Sequence, residues 1–177
     1  YNFCRYVDDI GDESGTNFLK KKKLKLLKKE LKTSKSKNHF VKNFIKLSKI
    51  YNIDIRIAYQ LIEGVFFDTD IVNIDSLKQL EEYSYKVAGT VGLMMCSIMN
   101  INNDTLLKHA VELGVAMQIT NIARDIREDL DRARIYLPET FRSFKFKNIE
   151  ELKNNETKIN LFCNDNVKLI LYSDVIY

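Results

Sequence analysis

A single proline, Pro138, interrupts 177 residues in which apolar side chains return at helical spacing from one end to the other. Proline and glycine are the strongest breakers of regular structure, and only six glycines accompany that proline. An all-α class is the natural expectation, and 45% apolar content is enough to bury a sizeable core. The periodicity predicts helices over residues 1–13, 18–34, 38–51, 55–72, 76–100, 103–130 and 158–175. Polar breaks separate them: GDESGTN at 11–17, where Thr16 or Asn17 caps the next helix, then 52–54, 73–76 and NINNDT at 100–105. Pro138 ends the long helix and its extension. The start at Tyr1 inside a running amphipathic helix, and the stop at Tyr177 without a cap or turn, predict one truncated domain over 1–177.

Several classes of chemistry find no support. Cys4, Cys96 and Cys163 lie far apart, and His39 and His109 have no Cys or His neighbour, so no zinc-ligand spacing exists. An odd number of cysteines suits a reducing compartment. The most apolar stretch, Val87 to Met99, is too short to span a bilayer and contains Gly89, Thr90, Gly92, Cys96 and Ser97. A buried core helix is the expectation there, and the expected location is cytoplasmic, in peripheral contact with a membrane.

The formal net charge of +4 is unevenly spread. Residues 20–37 hold ten lysines and one glutamate, a local +9, which leaves the rest of the chain at −5. Leu24, Leu27 and Leu31 run through the lysines as an apolar stripe. A solvated helix face accounts for this segment, and so does attraction to an anionic membrane surface. Few aromatics interleave with the lysines, so no nucleic-acid partner is expected.

Two acidic clusters carry the chemistry. In RYVDDIGDE (5–13), Asp8 and Asp12 stand four residues apart on one helical face, where like charges repel unless something compensates. A divalent cation does so well, because Mg²⁺ takes hard oxygen ligands and keeps positions for water and phosphate. Further on, Gln118, Asn121, Asp125 and Asp129 share one stripe of an otherwise apolar helix, interleaved with Arg124, Arg127 and Arg134, whose guanidinium groups suit phosphate oxygens. Taken singly, the first cluster fits an acidic helix end facing water, and the second fits a salt-bridged surface. Together they suggest two carboxylate walls around a diphosphate.

The stretch QITNIARDIREDLDRARIYLP (118–138) resembles the second aspartate-rich signature of the squalene/phytoene synthase family, and YNFCRYVDDIGDE (1–13) resembles the first. YSYKVAGTVGLMM (83–95) and LIEGVFFD (61–68) are similar to the family's intervening segments, in the same order. The resemblance covers about residues 1–140. It implies the isoprenoid synthase fold, an all-α helical bundle with a central cavity, here a partial domain. It also implies Mg²⁺, replaceable by Mn²⁺, held by Asp8, Asp9 and Asp12 on one wall and Asn121, Asp125 and Asp129 on the other. Arg5, Arg124, Arg134 and Tyr136 match positions that contact diphosphate. Tyr83, Val87, Ala88, Gly89 and Gln118 match positions lining the cavity, and Tyr83 joins the aspartates as a catalytic candidate. Ala133 departs from the pattern, standing where the family usually has glycine, a change expected only to stiffen the turn.

The activity implied is head-to-head condensation of two prenyl diphosphates, closest to formation of phytoene from geranylgeranyl diphosphate in carotenoid biosynthesis. Squalene or dehydrosqualene formation from farnesyl diphosphate is the alternative, with NADPH needed only if squalene is the product. Two rivals of other classes are a non-catalytic relative serving as an assembly scaffold and a basic helical binding module using residues 20–37.

Overall fold

Short polar side chains placed just ahead of apolar runs set the helix starts. In the computed structural model, which describes residues 1–177, the side chains of Asn38, Asp54, Ser76 and Asn103 each accept from a backbone N–H two or three residues ahead. Thr16, one of the two expected caps, does the same with Leu19 N. Each such bond satisfies one of the free amides of a first turn. The helices are α1 (Asn2–Asp12), α2 (Asn17–Thr33), α3 (His39–Ile50), α4 (Ile55–Phe67), α5 (Leu77–Ser84), α6 (Thr90–Ile98), α7 (Asp104–Arg124), α8 (Ile126–Asp131), α9 (Ile149–Lys153) and α10 (Glu156–Ile176). A π-helical turn, Tyr85–Gly89, carries α5 into α6. The all-α expectation holds.

Three local departures matter. The helix expected over 55–72 stops at Phe67, and Val72–Asn73 instead forms a short strand, β1. It pairs in parallel with Arg134–Ile135, β2, in the register Val72 to Arg134 and Asn73 to Ile135. The β-branched run Ile71-Val72 favours an extended backbone, and a partner 62 residues away completes it. The helix expected over 103–130 breaks at Asp125 (φ −98°, ψ 23°), although Asp125 N still bonds Asn121 O and Asp129 N still bonds Asp125 O. The 121, 125, 129 ladder therefore survives the break. Ala133, finally, sits at φ 58°, in the left-handed region that glycine occupies freely. The departure from the family pattern strains the turn rather than merely stiffening it.

Packing divides into two cores. One joins Phe3, Val7 and Ile10 of α1 to Leu24, Leu27 and Leu31 of α2, together with apolar residues of α3, α4 and Met94 of α6. The stripe running through the lysines is thus its inner face. The other joins Val115, Ile119 and Ile122 of α7 to Leu80 and Tyr83 of α5, both strands, Leu152 of α9 and Phe162 and Leu169 of α10. Between them, α6 and the π-helical turn cross α7 at a spacing only glycine permits. A Cβ on Gly92 would lie 2.4 Å from the Ala110 carbonyl oxygen, and one on Gly114 2.7 Å from that of Ala88. Both obstacles are backbone, which cannot swing aside.

Gly92→Ala should therefore destabilise the fold by about 2 kcal/mol through overpacking, read as a lowered midpoint in urea unfolding. An unchanged midpoint would mean that α6 and α7 are not in this close crossing.

Candidate active site

The site forms where α1, α4, α7 and the run from α5 to α6 meet over the gap between the cores. A cavity of about 340 Å³ is lined by Arg5 and Asp8 of α1, Leu61 and Val65 of α4, Asp68 just beyond it, Tyr83 of α5, Val87 and Val91 along the helix that follows, and Gln118 of α7. The π-helical turn shifts the register between Tyr83 and Val91, so that Tyr83, Val87 and Val91 all reach this cavity. Of the expected lining residues, Tyr83, Val87 and Gln118 stand there. Gly89 does not: it is buried against Val111 and Tyr85 on the α7 side, and the Ala88 carbonyl meets Gly114. These two small residues serve the helix crossing.

The acidic face of α1 is partly self-compensated. Arg5 pairs with Asp9 at 3.0 Å and with Asp8 at 3.5 Å, at the open rim where the Asp8 carboxyl is partly enclosed by the cavity. Burial pushes the Asp8 carboxyl above the usual carboxylate range, Asp12 pushes it further, and Arg5 opposes them. Asp12 is held from the other side of the site. Arg134 Nη1 donates to its Oδ1 at 3.0 Å and Arg132 Nη1 to its Oδ2 at 2.9 Å. Arg134 also reaches the Gly11 carbonyl at 3.3 Å. The guanidinium lies in β2, 7% exposed, and its Nε has no acceptor. Burial alone would ease the proton off, but Tyr136, Asp68 and Asp12 hold the group firmly charged.

Asp129 lies on the second wall. Burial pushes its carboxyl up to about 7, against Arg134, with the charges of Asp125 and Asp68 adding to the rise. Arg134 is thus the common neighbour of both acidic ridges: it touches Asp12, and its charge acts on Asp8 and Asp129. Asp125 faces outward into a bidentate pair with Arg124, at 2.6 Å on each oxygen, which holds it below the carboxylate range. Asn121 is half-buried on the same ladder.

One residue escaped the sequence reading. Asp68 accepts from the Tyr83 hydroxyl at 2.8 Å and from the Tyr136 hydroxyl at 2.7 Å, and those two rings stack with centroids 4.8 Å apart. Burial pushes Asp68 up to about 6, while Arg134 and the two tyrosines restrain it. Its signal was present as the last residue of LIEGVFFD. It went unread because Tyr136 and Arg134 reach it through the β1–β2 pairing, which helical periodicity does not show.

Residues 1–155 match the family profile described as Squalene/phytoene synthase. A 15-cis-phytoene synthase of Pantoea ananas is 33% identical over 153 residues, covering 80% of this chain and 50% of that protein. A phytoene synthase of Cereibacter sphaeroides is 29% identical over 162 residues, with 85% and 46% covered. Among solved structures, a dehydrosqualene synthase in complex with ligand superposes at a TM-score of 0.72 with 26% identity, covering 99% of this chain and 62% of that one. A squalene synthase from Alicyclobacillus acidocaldarius shares the fold at a TM-score of 0.71 and 20% identity, with 98% and 69% covered. The chain spans about half the length of the curated relatives it matches.

The carboxyl groups of Asp68 and Asp129 bind protons more tightly folded than unfolded, so the folded state loses that advantage as pH rises from about 4 through about 7. With a chelator present, the melting temperature should fall across this window. Asp129→Asn should flatten the fall, checked by thermal melts at matched ionic strength from pH 5 to pH 8. The same slope in both proteins would contradict the partly buried setting of Asp129.

Proposed function

We propose that this chain, which belongs to the squalene/phytoene synthase family, carries the catalytic core of a head-to-head condensation of two prenyl diphosphates, with geranylgeranyl diphosphate as substrate and phytoene as product. The observation that carries the reading is Arg134. A buried guanidinium with a free Nε–H stands between two acidic ridges, beside a cavity walled by Leu61, Val65, Val87 and Val91. A diphosphate oxygen is the acceptor such a donor fits. The apolar walls suit a prenyl chain. Relatives named as phytoene synthases support the product. The likeness to a dehydrosqualene synthase supports the alternative, squalene or dehydrosqualene from farnesyl diphosphate, with NADPH required only for squalene.

The donor set fits Mg²⁺, with Mn²⁺ able to replace it. It consists of side-chain oxygens: Asp8, Asp9 and Asp12 from α1, and Asn121, Asp125 and Asp129 around the α7–α8 break. No three acidic groups converge into a ready cage. This suits an ion that binds through one or two carboxylates and takes its other ligands from water and substrate phosphate. When bound, it would draw off charge developing on the leaving diphosphate. The chain's own groups do the rest. Arg5, Arg124 and Arg134 donate to phosphate oxygens, Tyr136 helps to position them, and the valines and leucine keep water from the cation left behind. A scaffold role has less support, since the aspartates of both signatures are present.

The outer face of α2 supports peripheral contact with an anionic membrane, at the cytoplasmic surface. Lys21, Lys23 and Lys28 are occupied by Asp70, Glu13 and Glu63. Lys22, Lys25, Lys29 and Lys32 remain on the exposed side beside Phe18, 73% exposed, and Leu26, 56% exposed. Basic residues flanking exposed apolar ones suit a lipid headgroup layer. No helix is long and apolar enough to cross a membrane.

Two outcomes test this reading. In the complete gene product, Asp125→Asn should lower Mg²⁺-dependent diphosphate release by about 10²-fold or more. Folding should change little, because Asp125 pairs only with its exposed neighbour Arg124. Turnover equal to wild type would overturn the assignment, and product chromatography separates the chain lengths. Separately, the protein should sediment with phosphatidylglycerol vesicles at low salt and be released as salt screens the charges. A Lys22, Lys25 and Lys29 to Glu triple variant should stay in solution.

A further inference from the structure

We propose that Asp68 is the proton acceptor behind Tyr83, receiving the proton expelled in each coupling step and delivering it to water through a second cavity. The inference rests on the prenyl-coupling reading above. It begins with a position. A second, polar cavity of about 260 Å³, lined by Asp12, Lys20, Thr69, Asp70 and Arg132 among others, also has Asp68 in its wall. Asp68 is the one residue that lines both. The other residues on the substrate side come from Tyr1, α1, α4, α7 and the α5–α6 run, and those on the polar side from the end of α1, the start of α2, the segment after α4, the turn after α8 and Arg134 of β2.

The hydrogen bonds give the position a direction. Tyr83 lines the substrate cavity and points its hydroxyl at Asp68 Oδ2, while Tyr136 fixes Oδ1. The two hydroxyls lie 3.1 Å apart. The carboxylate therefore cannot turn away, and Tyr83 has an acceptor for its own proton at hydrogen-bond distance. Burial and the Asp68 charge keep both phenols neutral far above the usual tyrosine range, so Tyr83 acts as a relay and not as a standing phenolate.

The step balances as follows. Loss of diphosphate from one substrate leaves an allylic cation, and the double bond of the second attacks it, moving the positive charge to a new carbon. A neighbouring C–H bond breaks, and its electron pair forms a second carbon–carbon bond to the cationic carbon, closing a three-membered ring that still carries the second diphosphate. The proton passes to the Tyr83 oxygen while the Tyr83 hydroxyl proton passes to Asp68 Oδ2. Asp68, now neutral, gives a proton to water in the polar cavity and returns to carboxylate. No water need enter the chamber that holds the cation. The groups facing Asp68 are Tyr83 from α5, Arg134 and Tyr136 from the β2 segment, Asp12 from α1 and Asp129 from α8. With them in place, the carboxyl sits near about 6, where it can both take and release a proton near neutrality.

The test uses the complete gene product with Mg²⁺ and geranylgeranyl diphosphate, measuring diphosphate, coupled hydrocarbon and water-trapped prenyl alcohol separately in wild type, Asp68→Asn, Asp68→Glu and Tyr83→Phe. For Asp68→Asn and Tyr83→Phe, hydrocarbon per diphosphate released should fall about 10²-fold, with alcohol taking its place. In wild type, that ratio should fall as pH drops below about 6, and the acidic limb should vanish in Asp68→Asn. Asp68→Glu should restore part of the ratio. A fall of diphosphate and hydrocarbon in parallel would make Asp68 a structural or ionisation residue and overturn the relay alone, as would a wild-type ratio in Asp68→Asn. Absence of diphosphate release from wild type would sink the coupling reading, and the relay with it.

Discussion

A buried guanidinium that is only partly satisfied organises this molecule. Arg134 has lost its water, gained Asp12 and the Gly11 carbonyl, and kept one donor free. Burying an ion pair of this kind seldom adds stability, because the desolvation of both charges offsets their attraction. What it adds here is placement. The β1–β2 pair fixes the arginine against the segment after α4, and Asp12 ties that segment's neighbourhood to α1. The left-handed Ala133 is the hinge of the arrangement, since the chain must leave α8 and reverse into β2 within three residues. An L side chain in that conformation carries a penalty of about 1 kcal/mol, which the surrounding pairing must over-determine.

The same constraint explains why two apolar cores do not merge. The α1–α4 core and the α5–α10 core approach through glycine. A Cβ on Gly64 of α4 would meet Val87, which packs on the second core, at 2.6 Å, and within the first core one on Gly11 would meet Val65 at 2.8 Å. Small residues at those contacts bring the walls close without filling the space between them, and the polar groups of Arg5, Asp8, Asp68 and Gln118 keep that space from collapsing into a single core. A cavity with apolar sides and one charged rim results directly from this division.

Much of this was legible in the sequence, for a physical reason. Helical periodicity and polar caps are local signals, so the breaks at 11–17 and 100–105 and the stripe Leu24, Leu27, Leu31 could be assigned without knowing any partner. The spacing of Asp8 to Asp12 and of Asn121 to Asp125 to Asp129 is equally local. Asp68, β1 and β2 are different. Their meaning comes from a pairing between residues 72–73 and 134–135, a non-local contact that no window of neighbouring residues contains. The glycines show the same limit. Gly89 and Gly92 read equally well as cavity lining or as close packing, and only the partner backbone at Val111 and Ala110 decides for packing.

The electrostatics also sort the acidic groups into two kinds. Asp12 and Asp125 are already neutralised by arginines, through Arg132 and Arg134 in one case and Arg124 in the other. Asp8 and Asp129, by contrast, sit in surroundings that push their protons on. On the proposed reading, these are two halves of one preparation. The arginines occupy carboxylates until a diphosphate offers them stronger bidentate acceptors. The undercompensated aspartates hold their charge at a cost until a divalent cation relieves it. Cation and diphosphate would then each repair what the other disturbs, since freeing Asp12 and Asp125 from their arginines adds negative charge at the moment positive charge arrives. Neither ligand alone satisfies the site, and that mutual dependence follows from where Arg134 is placed.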